Sequence, residues 1–171
     1  MKRRVSLWCC LWMLSVALSG CATNIGAPQS SGEFVTMMKA GGLFRNAEKV
    51  SVNRPAKSVV ADVTAFADKC LRVRTFRAGN YATRESASST TYRPKIVKGG
   101  KNATTLVLQE QYNDRDDSGA PIGGIFTLVA EVNPSGKKTT DVDIYYLTGR
   151  GMIVDPLKQW VEGNKGNCPS F

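Results

Sequence analysis

The chain predicts an α+β fold: a single domain in which an antiparallel sheet of about five to six strands carries two helices, residues ~55–71 and ~156–162, packed on one face. Three observations carry this. Residues 55–71 place Val59, Val63, Phe66, Ala67, Cys70 and Leu71 on one stripe at helical spacing, with Lys57, Asp62, Asp68 and Lys69 off it. Thr104–Tyr112, Gly124–Val132 and Lys138–Leu147 alternate apolar and polar residues as strands do. Between the last two, Asn133-Pro134-Ser135-Gly136 puts Pro second and Gly fourth, which suits a type I turn and hence a hairpin.

The first 20 residues stand apart from that domain. Met1-Lys2-Arg3-Arg4 is basic, and Val5–Leu18 is an apolar run of about 14 residues broken only by Ser6 and Ser15. A membrane-spanning helix needs roughly 20. A basic start, a short apolar run and small residues at its end describe a secretory signal. Here the small residues lead straight into a cysteine, and Leu18-Ser19-Gly20-Cys21 resembles the lipobox of bacterial lipoprotein precursors.

The resemblance implies cleavage before Cys21, a thioether-linked diacylglyceryl group on its sulfur, and acylation of the freed α-amine. A thiol is the neutral side chain nucleophilic enough for that chemistry, and serine would not replace it. Two or more acyl chains anchor stably where one holds only marginally. Ala22 stands where lipoproteins kept in the inner membrane usually carry Asp, so the resemblance also implies the cell outer membrane, with the domain facing the periplasm. The expected organisation is a signal peptide over 1–20, a lipidated Cys21 with a flexible tether over 21–32, and one domain over 33–171.

Loss of the signal changes the bookkeeping. The precursor has 23 basic and 14 acidic residues; without Lys2, Arg3 and Arg4 the balance is 20 against 14, or +6. About 150 residues remain, enough for one domain with a real core and short for two. Of five cysteines, Cys9 and Cys10 leave with the signal and Cys21 takes lipid. Cys70 and Cys168 are the pair that remains, and an oxidising compartment predicts a disulfide between them, with Cys168 brought to the inner side of the 55–71 helix.

The remaining elements follow in order. Ala22–Gly32 is polar, aperiodic and Gly/Pro-bearing, as a tether is. Glu33–Lys39 reads as a short helix ended by Gly41-Gly42, and Ala47–Val52 as a first strand. Pro55 suits the opening of the long helix. Leu71–Phe76 alternates as a strand, Gly79-Asn80 marks a turn, and Tyr81–Tyr92 suggests a Thr/Ser-rich solvated strand. Within the clear strands, Leu106 and Leu108 share one face, as do Phe126, Leu128, Ala130 and Val132. Val142, Ile144 and Tyr146 oppose Asp141, Asp143 and Tyr145. Asp155-Pro156 reads as a cap and first turn of a helix that carries Leu157, Trp160 and Val161 and stops at Gly163.

Most chemistries find no support. With no histidine, Ser-His and Cys-His pairs and histidine metal sites are excluded. Ser135-Gly136-Lys137-Lys138 fits the Ser-x-x-Lys nucleophile pattern of penicillin-binding proteins but falls in a hairpin turn without companion motifs. Asp141 and Asp143 share a strand face, where a solvated edge explains them as well as acid–base work does. Asp114, Asp116 and Ser118, with Gly119, occupy the first, third, fifth and sixth positions of a calcium loop, but Ile125 replaces the bidentate Glu and Arg115 intrudes. They are a weak calcium candidate, and no metal, cofactor or catalytic residue is expected.

One region is electrostatically distinct. From Lys69 to Lys101 lie nine basic residues against Glu85 alone. Arg72, Arg74, Arg77, Arg93, Lys95, Lys98 and Lys101 form a candidate surface for an anionic partner. The expected function is a non-catalytic envelope accessory that binds another envelope protein. The alternative is a module for an anionic glycan, lipopolysaccharide, cell-wall polymer or lipid. Nucleic acid fits the charge, but the expected compartment argues against it.

Overall fold

Residues 26–79, 82, 86–99, 103–113 and 119–171 are described in the computed structural model of the chain. Ser30 opens the first helix, α1 (Ser31–Lys39), by accepting the Glu33 N–H on its Oγ at 3.2 Å, one of the donors a helix start leaves orphaned. Strand β1 (Arg45–Val52) leads into α2 (Ala56–Phe66), which widens into a π-helical turn over Ala67–Leu71. The strands β2 (Arg74–Arg77), β3 (Ser88–Lys98), β4 (Thr104–Tyr112), β5 (Ile125–Pro134) and β6 (Thr140–Leu147) follow, and α3 (Gly151–Glu162) closes the order. All six strands form one antiparallel sheet in the order β1-β6-β5-β4-β3-β2. The fold is therefore α+β.

Helices α2 and α3 cover one face, hereafter the inner face. The residues of the predicted stripe, Val59 through Leu71, are all buried there against Leu106, Leu108, Leu128, Ala130, Val142 and Ile144, and against Leu157, Trp160 and Val161 of α3. The other face, the outer one, carries α1, whose Phe34, Val35 and Met38 pack on Val107, Phe126, Val129 and Tyr145. The helix at the start of the domain thus adds a third layer to the expected two-helix arrangement.

Several expectations need correction. Phe126 does not share a face with Leu128. Leu108 pairs with Leu128 and Gln109 with Phe126, so Thr127 is an extra residue, and the bulge turns Phe126 outward to meet Phe34 at a 6.3 Å ring distance. The β5–β6 turn is not Asn133–Gly136: Pro134 still pairs with Thr140, and the loop is Ser135–Thr139. Asp155-Pro156 does not open the last helix, which starts at Gly151; Pro156 lies inside it and leaves the Met152 carbonyl without its usual donor. Strand β3 runs on through the basic segment to Lys98 instead of ending at Tyr92. Ser31 and Gly32, placed in the tether, are the first turn of α1.

The disulfide joins Cys70 and Cys168 across 98 positions. Cys70 is buried as expected; Cys168 itself is exposed, and the residue after it, Pro169, is buried. Gly163 ends α3 in the left-handed conformation, φ 96°, as predicted. A second glycine is dictated by close approach: at Gly124, φ 104°, a Cβ would stand 2.3 Å from the Glu110 carbonyl oxygen.

Candidate functional site

The topology leaves part of β3 uncovered. β2 pairs only with Ser88–Thr91, so from Arg93 to Lys98 the edge of β3 away from β4 has no neighbouring strand among the described residues. A cleft of about 870 Å³ opens there. One wall is β3 itself; the other is the end of α2 and the π-helical turn, through Thr64, Asp68 and Arg72.

Arg72, Arg74, Arg93 and Lys95 from the basic region line this cleft together. Arg72 holds Asp68 at 2.9 Å, one turn back. Arg74 donates to the Ser89 hydroxyl at 3.1 Å and lies over the Phe76 ring at 4.8 Å. Arg93 donates two hydrogen bonds to the Gln111 amide oxygen, at 3.1 and 2.7 Å. These bonds fix the guanidinium groups, and among the described residues only the Arg72–Asp68 pair compensates any of their charge. The side chains of Lys95 and Lys98 have no hydrogen-bond or ion-pair partner among the described residues.

The other members of the predicted patch lie elsewhere. Arg77 lines a separate hollow of about 430 Å³ with Phe76, Tyr112 and Phe171. Lys98 lines one of about 450 Å³ with Lys57 and Pro134, at the opposite end of β3. At 3.3 Å per residue the two ends are on the order of 30 Å apart. Lys101 lies outside the described residues, as do Cys21 and the calcium candidates Asp114, Asp116 and Ser118. Among the described residues no cluster of three or more metal-ligating side chains occurs, and no helix is long and apolar enough to cross a membrane. Of the two strand carboxylates, Asp141 is held by Lys49 at 2.8 Å and by the Ser51 hydroxyl at 2.7 Å. The Lys49 bond keeps its pKa below the usual carboxylate range, with Ser51 adding to the effect. Asp143 faces Asn133 at 3.4 Å.

Two buried polar groups escaped the sequence reading. Glu110 is fully buried on the inner face, and Arg150, at the start of α3, grips it with two bonds of 2.6 Å. The Tyr112 hydroxyl donates to the same carboxylate at 2.7 Å. Burial, then the Glu110 bond, pushes the Tyr112 pKa up to about 12. Tyr92, opposite Glu110 on β3, is raised by burial and by the Glu110 charge, and its ring stacks on the C-terminal Phe171 at 4.3 Å. The alternation Leu106, Leu108, Glu110, Tyr112 was the available signal, since it places the glutamate inward.

The second group is Asp62, which sits three after Val59 and four before Phe66 and is therefore on the stripe, not off it. It is buried between Arg54 and Lys165, each at 2.6 Å. Burial works against its charge, and the Lys165 and Arg54 bonds more than offset that, leaving its pKa lowered. Arg54 also donates to the Val161 carbonyl at 2.6 Å, which ties the end of α3 to the start of α2.

No family model and no curated protein matches the chain. Among solved structures it is similar to a START superfamily protein from Mycobacterium smegmatis, at 14% identity and a TM-score of 0.42, over 71% of this chain and 96% of that one. It is also similar to norcoclaurine synthase from Thalictrum flavum, solved with dopamine and hydroxybenzaldehyde, at 9% identity and a TM-score of 0.34 over 72% and 88%. A point mutant of that enzyme with a transition-state analogue gives the same identity and TM-score. What the fold and site define is an α+β sheet domain with a cationic cleft at an open sheet edge.

Proposed function

We propose that this chain is a lipid-anchored protein of the bacterial cell envelope. In this reading it is exported by residues 1–20, held at the outer membrane through Cys21, and works on the periplasmic side as a non-catalytic accessory that binds another envelope protein. The observation that supports a binding role is the convergence of Arg72, Arg74, Arg93 and Lys95 on one cleft. Fixed cations around a low-dielectric concavity raise the local concentration of an acidic partner. The Cys70–Cys168 bond suits an oxidising compartment.

A photo-crosslinking residue in place of Lys95, activated in intact cells, tests this. A discrete protein adduct that disappears on Arg93→Glu is expected; recovery of no protein adduct overturns it. The anchor is tested apart from the surface. Cys21→Ser should leave an unprocessed, unlipidated precursor, and normal maturation of that variant would remove the lipobox reading.

The anionic-glycan reading has one observation in its favour: Arg77 and Lys98 carry positive charge beyond both ends of the cleft, as a long polyanion would need. Retention on isolated cell wall or lipopolysaccharide should then fall steeply as salt rises, because exposed charges are screened beyond about 10 Å at 0.1 M. Salt-independent retention would exclude it.

A further inference from the structure

We infer that the open edge of β3 at residues 94–98 docks an extended acidic segment of a partner protein, which joins the sheet as the strand that β2 is too short to be. The inference rests on the proposal that the cleft binds protein, and it names how.

Two hydrogen bonds fix which way each backbone group of β3 points. The Asn113 N–H donates to the Ser89 carbonyl at 3.0 Å, so odd-numbered residues of β3 face β4. The Tyr92 N–H donates to the Val73 carbonyl at 2.9 Å, so even-numbered ones face the β2 side. Past Tyr92 the β2 side is empty of strand among the described residues. The carbonyl of Pro94 and both backbone groups of Ile96 and Lys98 therefore point into the cleft side at a two-residue repeat, near 6.6 Å. That spacing matches another polypeptide in β conformation. A glycan or lipid headgroup answers the charges but has no matching ladder of donors and acceptors.

The flanking charges choose among polypeptides. Lysine and proline on an edge are devices against edge-to-edge aggregation, and Pro94, Lys95 and Lys98 serve here to repel a second copy of this chain, which would bring cations against cations. The same charges attract an acidic strand. The opposite edge of the sheet provides an internal control. The Thr148 N–H donates to the Phe44 carbonyl at 3.1 Å, so Ala47, Lys49 and Ser51 of β1 also present edge groups with no strand beside them among the described residues. There, however, Lys49 is neutralised by Asp141 at 2.8 Å.

The test uses the mature, disulfide-bonded chain and two synthetic probes: an eight-residue peptide of alternating valine and glutamate, and the same peptide with every backbone amide N-methylated. Charge and side chains are identical, but the second has no N–H to donate along either edge. The unmodified peptide should bind at least about tenfold more tightly, the equivalent of one or two backbone hydrogen bonds. On binding, amide exchange at Ile96 and Lys98 should slow, while that at Ala47 and Lys49 stays unchanged. Equal binding of both peptides overturns the inference and leaves the cleft as a site that reads charge alone. Failure of both to bind also overturns it, and the Lys95 crosslink then shows separately whether the protein-binding proposal survives.

Discussion

The two faces of the sheet are built on different terms. On the inner face, 18 buried apolar side chains from two helices and three strands form one cluster, and a disulfide and two buried ion pairs fasten its margins. On the outer face a single nine-residue helix packs three of its own side chains on four from the sheet, seven in all. Inner-face residues come from distant parts of the chain and must assemble together, so they should unfold together. The outer layer consists of one helix near the N-terminal end of the described chain, and α1 can leave without breaking the sheet. The difference teaches where cooperativity resides: in the layer whose parts are farthest apart in sequence.

The largest expected effect tests the fastening of the inner face. Replacing Cys70 and Cys168 together by alanine should cost on the order of 4–5 kcal/mol in the chain-entropy view of a closed loop this long, read as a lowered denaturant midpoint. A loss below about 1 kcal/mol would mean that packing alone holds the tail. Next come paired truncations. Phe66→Ala should cost about 3–5 kcal/mol and lower the single global transition. Phe34→Ala should cost less globally and speed amide exchange mainly across residues 31–39; equal global losses would erase the distinction between faces.

The Glu110→Gln variant is expected to cost about 3 kcal/mol, since it leaves the Arg150 charge half-buried without its partner. The same variant has an optical readout. Tyr112 titrates near 12 in the native chain, and removing the Glu110 charge should lower that value in an alkaline spectrophotometric titration. The sign for stability follows. A phenol whose pKa rises on folding contributes stability that is complete below pH 10 and lost as the pH climbs through 12. The smallest effect is a gain. The Thr127 hydroxyl, buried at the bulge, has no hydrogen-bond partner among the described residues. Thr127→Val should stabilise by about 1 kcal/mol; a loss instead would show that water reaches it.

The inner face was legible because helical and strand periodicities agree on it. Every apolar residue of the 55–71 stripe is buried, and the strand alternation predicts Leu106, Leu128, Val142 and Ile144 correctly. Periodicity failed where polar residues occupy inward positions. Asp62 and Glu110 fit the spacing, but their charge argued for solvent until Arg54, Lys165 and Arg150 could be placed beside them. It failed again at Thr127, because one inserted residue reverses every face beyond it and leaves no mark in composition. The basic site was legible as charge but not as shape. Of the seven cations expected in one patch, Arg72, Arg74, Arg93 and Lys95 surround a cleft, Arg77 on β2 and Lys98 on β3 lie toward its opposite ends, and Lys101 is outside the described residues.

The cysteine pair also imposes an order of events on biosynthesis. Cys168 lies 98 positions after Cys70, so their bond can close only once all the chain between them has emerged. In the export scheme proposed above, Cys21 and Cys70 reach the oxidising side first and wait there together. Lipid transfer to Cys21 would then do more than anchor the protein: it would retire a thiol able to capture Cys70 before its proper partner arrives. Slowed lipidation should therefore surface first as mispaired protein, ahead of any failure to reach the membrane.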